Sequence, residues 1–538
     1  MIRDTLTRAL REAVAGAGLE APAVVNLERP ARREHGDWSS NVALATAKVA
    51  GRNPRELARE LADALSADPP EHVAGVDVAG PGFVNFRLAD SWLHDVLRDV
   101  VVAGPPLFAR LDIGRGERVQ IEFVSANPTG PMHVGNGWFC AYGDALARVL
   151  QRCGYDVARE YYVNDTGGQV RTLGASLLAR RRGEDVPDDG YQGAYVGLLA
   201  GLYDGPDDAE TAGRWAAARV LEDIRATLDL LGIRFDQWFS QASIEESDAV
   251  EATVALLAAR GLVFEQDGAL WLRTADFGDP REQRVLRRSS DQGGGYTYLA
   301  GDLAYHRDKF LVRGFDRVIN VWGADHHGQV ASLQAGVEAL GVERGRLEVR
   351  LGQLVSLAEG RMSKRAGNSV PLRELIDDVG AGAVRFLSLM SSLDQASTID
   401  LDMVRRRSMD NPVFYVQMAY ARIAGIGRTA ADRGIVREPL AVADLSLLTH
   451  ERELDVLRSL SELPEVVALA AQDRAPHRVC TWVRELAARF HGFYHDCYVV
   501  GDGISPQLTQ ARLWLVEAAR TGVSVGLDLL GVEAPERM

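Results

Sequence analysis

The chain has few cysteines and no long apolar run. Its four cysteines, spread over 538 residues, form no CxxC pair, which argues against a structural zinc site and a disulfide-rich secreted fold. We therefore expect buried free thiols. No uncharged apolar run approaches the ~18 residues that a membrane-spanning helix needs. Ile2, Leu6, Leu10 and Val14 share one face of an amphipathic helix rather than forming a signal peptide, so we expect a cytoplasmic protein with no membrane partner.

Positive charge is also in short supply. The chain has 60 Lys and Arg against 75 Asp and Glu, a net charge of −15, which argues against a protein that coats nucleic acid electrostatically. A local basic stretch remains at residues 401–428, where five arginines stand against two aspartates. On charge alone, this stretch fits a solvated helix face as well as a nucleic-acid contact.

The length and the first hundred residues predict several domains. A chain of 538 residues is too long for one hydrophobic core. Residues 1–105 mix helical patterns with a strand-like end, FVNFRL, in which Phe83, Asn85 and Arg87 alternate with Val84, Phe86 and Leu88. We predict a small α+β domain here, followed by a Gly- and Pro-rich linker at residues 101–118.

The pattern then changes to strand, loop, helix and strand. VQIEFVS, an apolar strand candidate, precedes the loop ANPTGPMHVGNG, the helix WFCAYGDALARVLQRCG and the strand DVAREYYVND. This order predicts a βαβ unit and a parallel sheet. RVINVWGAD (317–325) and LEVRLGQLVSL (347–357) are further strand candidates. The helical, loop-rich residues 168–295 are predicted to be an insertion.

The predicted fold class is therefore α/β. A Rossmann-type nucleotide-binding domain with its insertion occupies residues 106–400, after the α+β domain at 1–105 and before an all-α bundle at 401–538. Open α/β sheets bind ligands outside the carboxyl ends of their strands, so the loop after the first strand is the first candidate for a site.

That loop holds Asn127, His133, Gly135 and Asn136, directly before a helix. Glycine permits close approach of the backbone, and a helix N-terminus favours phosphate. A histidine can stabilise charge that develops on phosphate oxygens. The HxGN pattern is weak alone, and the chain contains neither the GxGxxG nor the GxxxxGK[ST] phosphate loop.

A second loop, GRMSKRAGN (360–368), follows the last predicted strand. Arg361, Lys364 and Arg365 would neutralise a departing pyrophosphate, although taken singly the segment fits an exposed basic turn. A His-x-Gly loop after the first strand, paired with an MSK loop after the last, is the double signature of class I aminoacyl-tRNA synthetases.

The resemblance extends along the whole chain. EFVSANPTGPMHVGN, REYYVNDTGGQV, YTYLAGDLAYHRDKF, VWGADHHG, GRMSKRAGN, DNPVFYVQMAYARI and GLDLLGVEAPERM resemble bacterial arginyl-tRNA synthetases segment by segment. The resemblance implies ATP-dependent attachment of L-arginine to its tRNA through an arginyl-adenylate. It also implies ATP and Mg²⁺ as cofactors, tRNA as a partner and a monomeric enzyme.

The resemblance assigns roles to individual residues. The expected ATP-binding residues are His133, Gly135, Asn136, Gly323, Asp325, His326, Met362, Ser363 and Lys364. Among the signature positions, catalysis is expected from His133, Asn136, Arg361 and Lys364, with no metal ligand from the protein. The tRNA-binding candidates are Arg405, Arg406, Arg407 and Tyr415. The N-terminal domain would contact the tRNA elbow, and the helical bundle would read the anticodon.

The expected amino-acid-binding residues are Ser125, Asn127, Gln241, Tyr298 and Asp302. A carboxylate suits the planar donors of a guanidinium, so Asp302 would pair with arginine. From the residues alone, Asp302 fits the N-cap of the helix LAYHRDKF equally well.

Four positions depart from the family pattern. Asn136 replaces the second His of the first signature, Arg361 replaces the first Lys of the second, and Trp138 stands where Arg is common. Gln241 stands where the family usually has Glu, and this change would weaken arginine binding by ~1.5–3 kcal/mol. One alternative is therefore a duplicated enzyme with altered specificity, serving specialised metabolism or resistance. A non-catalytic tRNA-binding protein is a second alternative, which the signature residues oppose.

Overall fold

A computed structural model of the chain describes residues 2–30, 32–353, 355–357 and 370–538. The chain forms two compact units, each assembled from three segments. Unit 1 comprises Met1–Gly104, Ile426–Ser461 and Arg489–Ala519, and unit 2 comprises Pro105–Gly425, Glu462–Ala488 and Arg520–Met538. Within the described residues, none of the helices has the length and apolar content needed to cross a membrane.

The N-terminal part is an antiparallel sheet packed with helices. The elements are α1 (Ile2–Gly16), β1 (Leu27–Glu28), β2 (Trp38–Ser40), α2 (Val42–Ala50), α3 (Pro54–Ala67), β3 (Val73–Ala79), β4 (Phe83–Leu88) and α4 (Ser91–Leu107). The strand order is β1-β2-β4-β3. Leu6, Leu10 and Val14 of α1 are buried with Val84 and Phe86 of β4 in one apolar core, so the predicted amphipathic helix and strand are both confirmed.

The linker predicted at residues 101–118 is partly wrong. Helix α4 continues to Leu107, with a kink at Gly104, whose φ of 57° and ψ of −178° are not helical. The apolar face of α4 ends at the buried Val100, and residues 101–107 continue the helix beyond it. Pro105 and Pro106 follow the kink, and the boundary between the two units falls between Gly104 and Pro105.

Unit 2 is built on a five-stranded parallel sheet. Its strands are β5 (Arg118–Glu122), β6 (Asp156–Val163), β7 (Gln237–Ser240), β11 (Arg317–Gly323) and β12 (Leu347–Gly352), in the order β12-β11-β5-β6-β7. All four pairings are parallel. Helix α5 (Val134–Arg152) connects β5 to β6, which confirms the predicted βαβ unit.

Around this sheet lie helices and two small sheets. The helices are α6 (Gly168–Arg182), α7 (Ala194–Leu202), α8 (Ala209–Leu230), α9 (Gln241–Glu245), α10 (Ala249–Ala259), α11 (Tyr298–Arg307), α12 (His327–Ala339), α13 (Leu372–Val379), α14 (Ala381–Ser388) and α15 (Leu401–Arg405). A π-helical turn, Asp308–Val312, extends α11. The remaining strands are β8 (Val263–Gln266), β9 (Ala269–Arg273), β10 (Gln283–Arg287), β13 (Val355–Leu357) and β14 (Ser397–Ile399).

Two strand predictions need correction. Residues 168–295 are not simply a helical insertion, because β7 joins the edge of the central sheet and β10-β9-β8 form an antiparallel sheet. Four-residue strands such as β7 are too short to show a clear period. The single strand predicted at 347–357 is divided in two: β12 belongs to the central sheet, whereas β13 pairs with β14.

The C-terminal part is helical, as predicted. It contains α16 (Pro412–Asp432), α17 (Glu451–Gln472), α18 (His477–Asp496) and α19 (Pro506–Leu530), and each of these helices contributes residues to both units. In unit 2, the guanidinium of Arg385, only 1% exposed, donates to the carbonyls of Leu530 at 2.9 Å and Leu231 at 3.0 Å, and pairs with Asp144. All four cysteines are buried, which confirms that prediction.

Candidate active site

A cavity of about 2090 Å³ opens at the carboxyl ends of the strands in unit 2. Residues at or just beyond the ends of all five strands line it, as expected for ligand sites in parallel sheets. Eleven residues predicted from the sequence line this one cavity: Ser125, Asn127, His133, Gly135, Asn136, Gln241, Tyr298, Asp302, Gly323, Asp325 and His326. Ser125 and His326, which are about 200 positions apart in the sequence, therefore line the same cavity.

The backbone turns sharply where β5 enters the cavity. Val124 and Ser125 have φ values of 70° and 40°, in the left-handed region that a β-branched residue such as valine rarely adopts. The Ser125 hydroxyl accepts from the Tyr162 N–H at 3.1 Å and lies 3.3 Å from the Glu122 carboxylate, to which it donates. Such strain persists only where surrounding contacts hold it, and it clusters at functional sites. The turn leads the chain to Asn127, whose amide donates to Gln169 at 2.7 Å.

His133 and Asn136 form the N-terminal turn of α5. His133 is the N-cap residue, and its backbone N–H donates to Oδ1 of Asn136 at 2.9 Å. Desolvation lowers the pKa of His133, which favours the neutral imidazole. The loop before it is held by Tyr195, whose hydroxyl donates to the carbonyl of Thr129 at 2.5 Å. This turn therefore presents a neutral ring and a helix N-terminus to the cavity.

The second signature lies outside the described residues, including Arg361, Met362, Ser363 and Lys364. Gln353, which precedes this signature, and Val370, which follows it, both line the cavity. The carbonyl of Val370 accepts from the N–H of Val134 in the first turn of α5 at 3.0 Å.

Buried charges lie under the cavity. The Lys309 ammonium, 0% exposed, is 2.6 Å from the Glu122 carboxylate and 3.2 Å from Oδ1 of Asn320. The amide nitrogen of Asn320 then donates to Nε2 of His306 at 2.9 Å. Nδ1 of His306 must therefore carry the ring proton, which it donates to the Asp302 carbonyl at 2.7 Å. Burial, reinforced by Lys309, lowers the pKa of His306, so the ring is neutral.

An aromatic wall stands beside these charges. The Tyr162 ring lies 4.6 Å from that of Tyr305 and 6.2 Å from that of Phe239. The hydroxyl of Tyr305 donates to Glu160, which also pairs with Arg313. Burial opposes ionisation of Glu160, but the hydrogen bonds from Arg313 and Tyr305 and the charges of Lys309 and Arg313 together outweigh it and hold the pKa of Glu160 below its usual range. The Tyr305 hydroxyl and the Glu160 carboxylate thus each have a defined partner.

Asp302 differs from these paired groups. Its side chain has no hydrogen bond or ion pair with any described residue, and burial, together with the charge of Glu122, raises its pKa to about 7. Lys309 opposes this shift. The N-cap of α11 is Thr297, so the N-cap alternative for Asp302 is wrong: Asp302 lies in the interior of α11. Tyr298, one turn earlier, is 81% exposed and also lines the cavity.

The ends of β7 and β11 bring in the remaining predicted residues. Gln241 begins α9, directly after β7, and lines the same cavity as Asp302. Gly323 ends β11, and Asp325 and His326 follow in a short 3₁₀ turn. The ring of His326 lies 5.9 Å from that of Trp322.

The antiparallel sheet adds a basic, aromatic side to the cavity. Trp271 of β9 and Gln283 of β10 line it together with Arg281 and Arg288. Trp271 is held by a hydrogen bond from its indole nitrogen to the Gln266 carbonyl at 3.3 Å. Within the described part of the chain, the guanidinium groups of Arg281 and Arg288 have no hydrogen-bond or carboxylate partner.

Three family descriptions match successive parts of the chain. "Arginyl tRNA synthetase N terminal domain" matches residues 1–88, "tRNA synthetases class I (R), catalytic domain" matches 109–190 and 210–401, and "DALR anticodon binding domain" matches 416–538. The curated arginine–tRNA ligase of Frankia alni is 46% identical, with 100% of this chain and 99% of the relative covered. The chain belongs to the arginyl-tRNA synthetase family.

Further comparisons agree. The arginine–tRNA ligase of Syntrophotalea carbinolica is also 46% identical, over 96% of this chain and 95% of the relative. The solved arginyl-tRNA synthetase of Thermus thermophilus matches with a TM-score of 0.75 over 100% of both chains, at 24% identity, which shows a shared fold. The resemblance and the fold class predicted from the sequence are therefore confirmed.

The basic stretch near residue 405 is not uniform. The guanidinium of Arg405 is bonded to the Asp378 carboxylate at 2.6 and 3.0 Å and to Asp402 at 3.0 Å. Arg406 and Arg407 are exposed. Tyr415 lies in the first turn of α16. None of these four is among the residues that line the described cavity.

Several residues of the site were missed from the sequence. They are Glu122, Tyr162, Gln169, Trp271, Arg281, Arg288, Tyr305, His306, Lys309 and Asn320. Glu122 offered a signal, because a carboxylate within an apolar strand needs a buried partner. Its partner, Lys309, is 187 residues away, and no local pattern connects the two.

Proposed function

We propose that the protein attaches L-arginine to tRNA in two steps within this cavity. A carboxylate oxygen of arginine attacks the α-phosphorus of ATP, the α–β phosphoanhydride bond breaks, and arginyl-adenylate and pyrophosphate form. A hydroxyl of the terminal tRNA ribose then attacks the arginyl carbonyl carbon, and AMP leaves. The observation that carries this proposal is a cavity that combines the half-buried, unpaired Asp302 carboxylate with the His133 turn at the α5 N-terminus.

We assign the Asp302 side of the cavity to arginine. A buried carboxylate with no partner is unfavourable, and a guanidinium supplies the charge and the planar donors that satisfy it. Arginine binding would lower the pKa of Asp302 from about 7 and fix it as a carboxylate. Tyr298 and Gln241 would contact the side chain, while Asn127 and Ser125 would hold the amino and carboxylate groups.

We assign the α5 side to ATP. His133, Gly135 and Asn136 would approach the phosphates, and Gly323, Asp325 and His326 would contact the adenosine. Met362, Ser363 and the cations Arg361 and Lys364 would complete the phosphate site and stabilise charge as pyrophosphate leaves.

Magnesium is proposed to enter with the triphosphate. In the described part of the chain, no group of three or more His, Cys, Asp or Glu side chains is arranged to hold a metal. Mg²⁺ commonly binds through substrate phosphates and retains several waters. At this site it would neutralise phosphate charge, while the residues of the chain position both substrates.

We assign tRNA contacts to three parts of the chain. The single-stranded 3′ end would stack on Trp271 and place its phosphates near Arg281 and Arg288, since aromatic rings and cations together suit single strands. The helical residues 401–538 would read the anticodon, with Arg406, Arg407 and Tyr415 at the edge of that surface. Residues 1–105 would contact the tRNA elbow. The proposed active species is a monomer.

The test is aminoacylation of total tRNA with each amino acid in turn. We expect arginine alone to be charged, with ATP cleaved to AMP and pyrophosphate. The specificity control compares kcat/KM for arginine with those for citrulline, canavanine and lysine. Preference for any of these over arginine would overturn the arginine assignment and support an enzyme of altered specificity.

A further inference from the structure

Gln241 is held by a residue outside the cavity. Helix α9 runs from Gln241 to Glu245, so these two side chains lie one turn apart on the same face. Nε2 of Gln241 is 2.7 Å from Oε1 of Glu245. Gln241 lines the cavity, whereas Glu245 is exposed.

This contact determines which end of the Gln241 amide is available. An ionised carboxylate only accepts hydrogen bonds, so the amide atom that faces Glu245 must be the NH₂ group. The carbonyl oxygen, Oε1, is then left free to accept from a ligand in the cavity. A guanidinium presents five N–H donors and no acceptor, so Oε1 suits arginine and the NH₂ group would repel it.

Among the described residues, Glu245 is the one whose hydrogen bond fixes the orientation of the Gln241 amide. Asp165 fixes the start of the helix, since its carboxylate accepts from the Ser240 hydroxyl at 2.5 Å and from the Ala242 N–H at 3.1 Å. Helix α9 packs against α11, which carries Asp302. Burial and then the charges of Asp302, Glu122 and Glu245 raise the pKa of Tyr162, so the field of Glu245 extends to the aromatic wall.

We infer that Glu245 is a positioning residue for amino-acid selection: it orients the Gln241 amide so that a neutral carbonyl oxygen, beside the Asp302 carboxylate, faces the guanidinium of arginine. The inference rests on the proposed function, because it takes arginine as the amino acid. Glu245 itself does not touch the substrate. Its effect is on arginine binding and not on the chemical step.

The first test is the Glu245→Ala variant in steady-state aminoacylation. The freed amide rotates, and we expect the arginine KM to rise about fivefold, the worth of one ordinary hydrogen bond, with kcat and the ATP KM unchanged. Glu245→Lys should raise the arginine KM further, because an ammonium only donates and turns the NH₂ group toward the substrate. The matched control is Glu246→Ala, which removes the exposed neighbour that pairs with Arg214 at 3.0 Å and should leave the arginine KM unchanged.

The second test is a double-mutant cycle with Gln241→Glu. A carboxylate accepts through both oxygens and needs no orienting partner, so Glu245→Ala should not raise the arginine KM in the Gln241→Glu background. An unchanged arginine KM in Glu245→Ala, or an equal loss in both backgrounds, would overturn the inference while leaving arginine charging intact. Failure of the unmodified enzyme to charge arginine would overturn the proposed function and this inference together.

Discussion

The two ends of the cavity present different kinds of group to the ligands proposed for them. The end assigned to ATP presents a helix N-terminus, a glycine and a neutral His133 ring. Its backbone N–H groups would attract phosphate together with the proposed cations Arg361 and Lys364. The end assigned to arginine presents a side-chain charge, Asp302, above the buried Glu122–Lys309 pair. A phosphate site can thus draw on backbone N–H groups as well as on cations, whereas a selective cation site needs a carboxylate, which destabilises the free protein when it has no partner.

The largest expected effect comes from Asp302→Asn. Removing one partner of a buried charge pair costs several kcal/mol, so we expect kcat/KM for arginine to fall about 10³-fold. The ATP KM should change little, because the phosphate end is untouched. Asp291→Asn, an exposed carboxylate that does not line the cavity, is the control. An equal loss of kcat/KM for arginine and for ATP would contradict the proposed difference between the two ends of the cavity.

The same variant should be more stable than the unmodified protein without ligand. The folded-state pKa of Asp302 is about 7, above its ordinary value of 3.8, so the fold favours the protonated form. That stability is fully present below pH 3.8 and is lost progressively as pH rises from there to about 7. We expect Asp302→Asn to raise the Tm most at pH 8, less at pH 5, and to have little effect at pH 3. Equal Tm differences at both pH values would contradict the raised pKa.

Lys364→Ala tests the opposite end. By the sequence signature, this lysine acts on the charge of the departing pyrophosphate, and loss of one such group costs about 10²–10³ in rate. We expect arginine-dependent adenylate formation to fall by that factor while tRNA binding is retained. Arg373→Ala is the comparison, because this arginine lies outside both signatures, does not line the cavity and pairs with Asp223 at 3.5 Å. Wild-type turnover in Lys364→Ala would remove the lysine from the mechanism.

The pH dependence of the two substrates should also differ. Only the ionised form of Asp302 attracts a guanidinium, so kcat/KM for arginine should fall about tenfold for each pH unit below its pKa of about 7. The profile should flatten in Asp302→Asn. An arginine profile already flat between pH 5.5 and 8 in the unmodified enzyme would show that Asp302 stays ionised throughout.

The smallest effect is expected at the antiparallel sheet. Arg281→Ala and Arg288→Ala should each raise the tRNA KM a few-fold and lower the salt dependence of tRNA binding by roughly 0.7 in log–log slope, the value for one phosphate of a single strand. Adenylate formation should be unchanged, because arginine and ATP bind elsewhere in the cavity. Arg344→Ala, whose guanidinium is paired with Glu338 at 2.9 Å, is the matched control. If all three variants show the same salt dependence of tRNA binding, Arg281 and Arg288 do not contact tRNA phosphates and are simply exposed to solvent.

The residues that face the cavity could be predicted from the sequence better than the strand and the buried charges that support them. The βαβ unit was predictable because an apolar strand, a Gly/Pro loop and a long amphipathic helix follow one another within about 45 residues. His133 and Asp302 are found by motif, and both line the cavity. Strand β7 and the charges under the cavity were not predictable, since their stability comes from distant partners: Tyr161 lies opposite Trp238, and Lys309 opposite Glu122.

The course of the C-terminal helices limits how this chain can be divided or recombined. A cut near residue 400 removes segments from both units, and it also removes the Leu530 carbonyl that accepts from the buried guanidinium of Arg385. An isolated residue 106–400 fragment would carry a buried cation with one acceptor missing, which is costly. The C-terminal helices, to which anticodon reading is assigned by proposal, are therefore not a detachable module, and their exchange between relatives requires exchange of the residues around Arg385 as well.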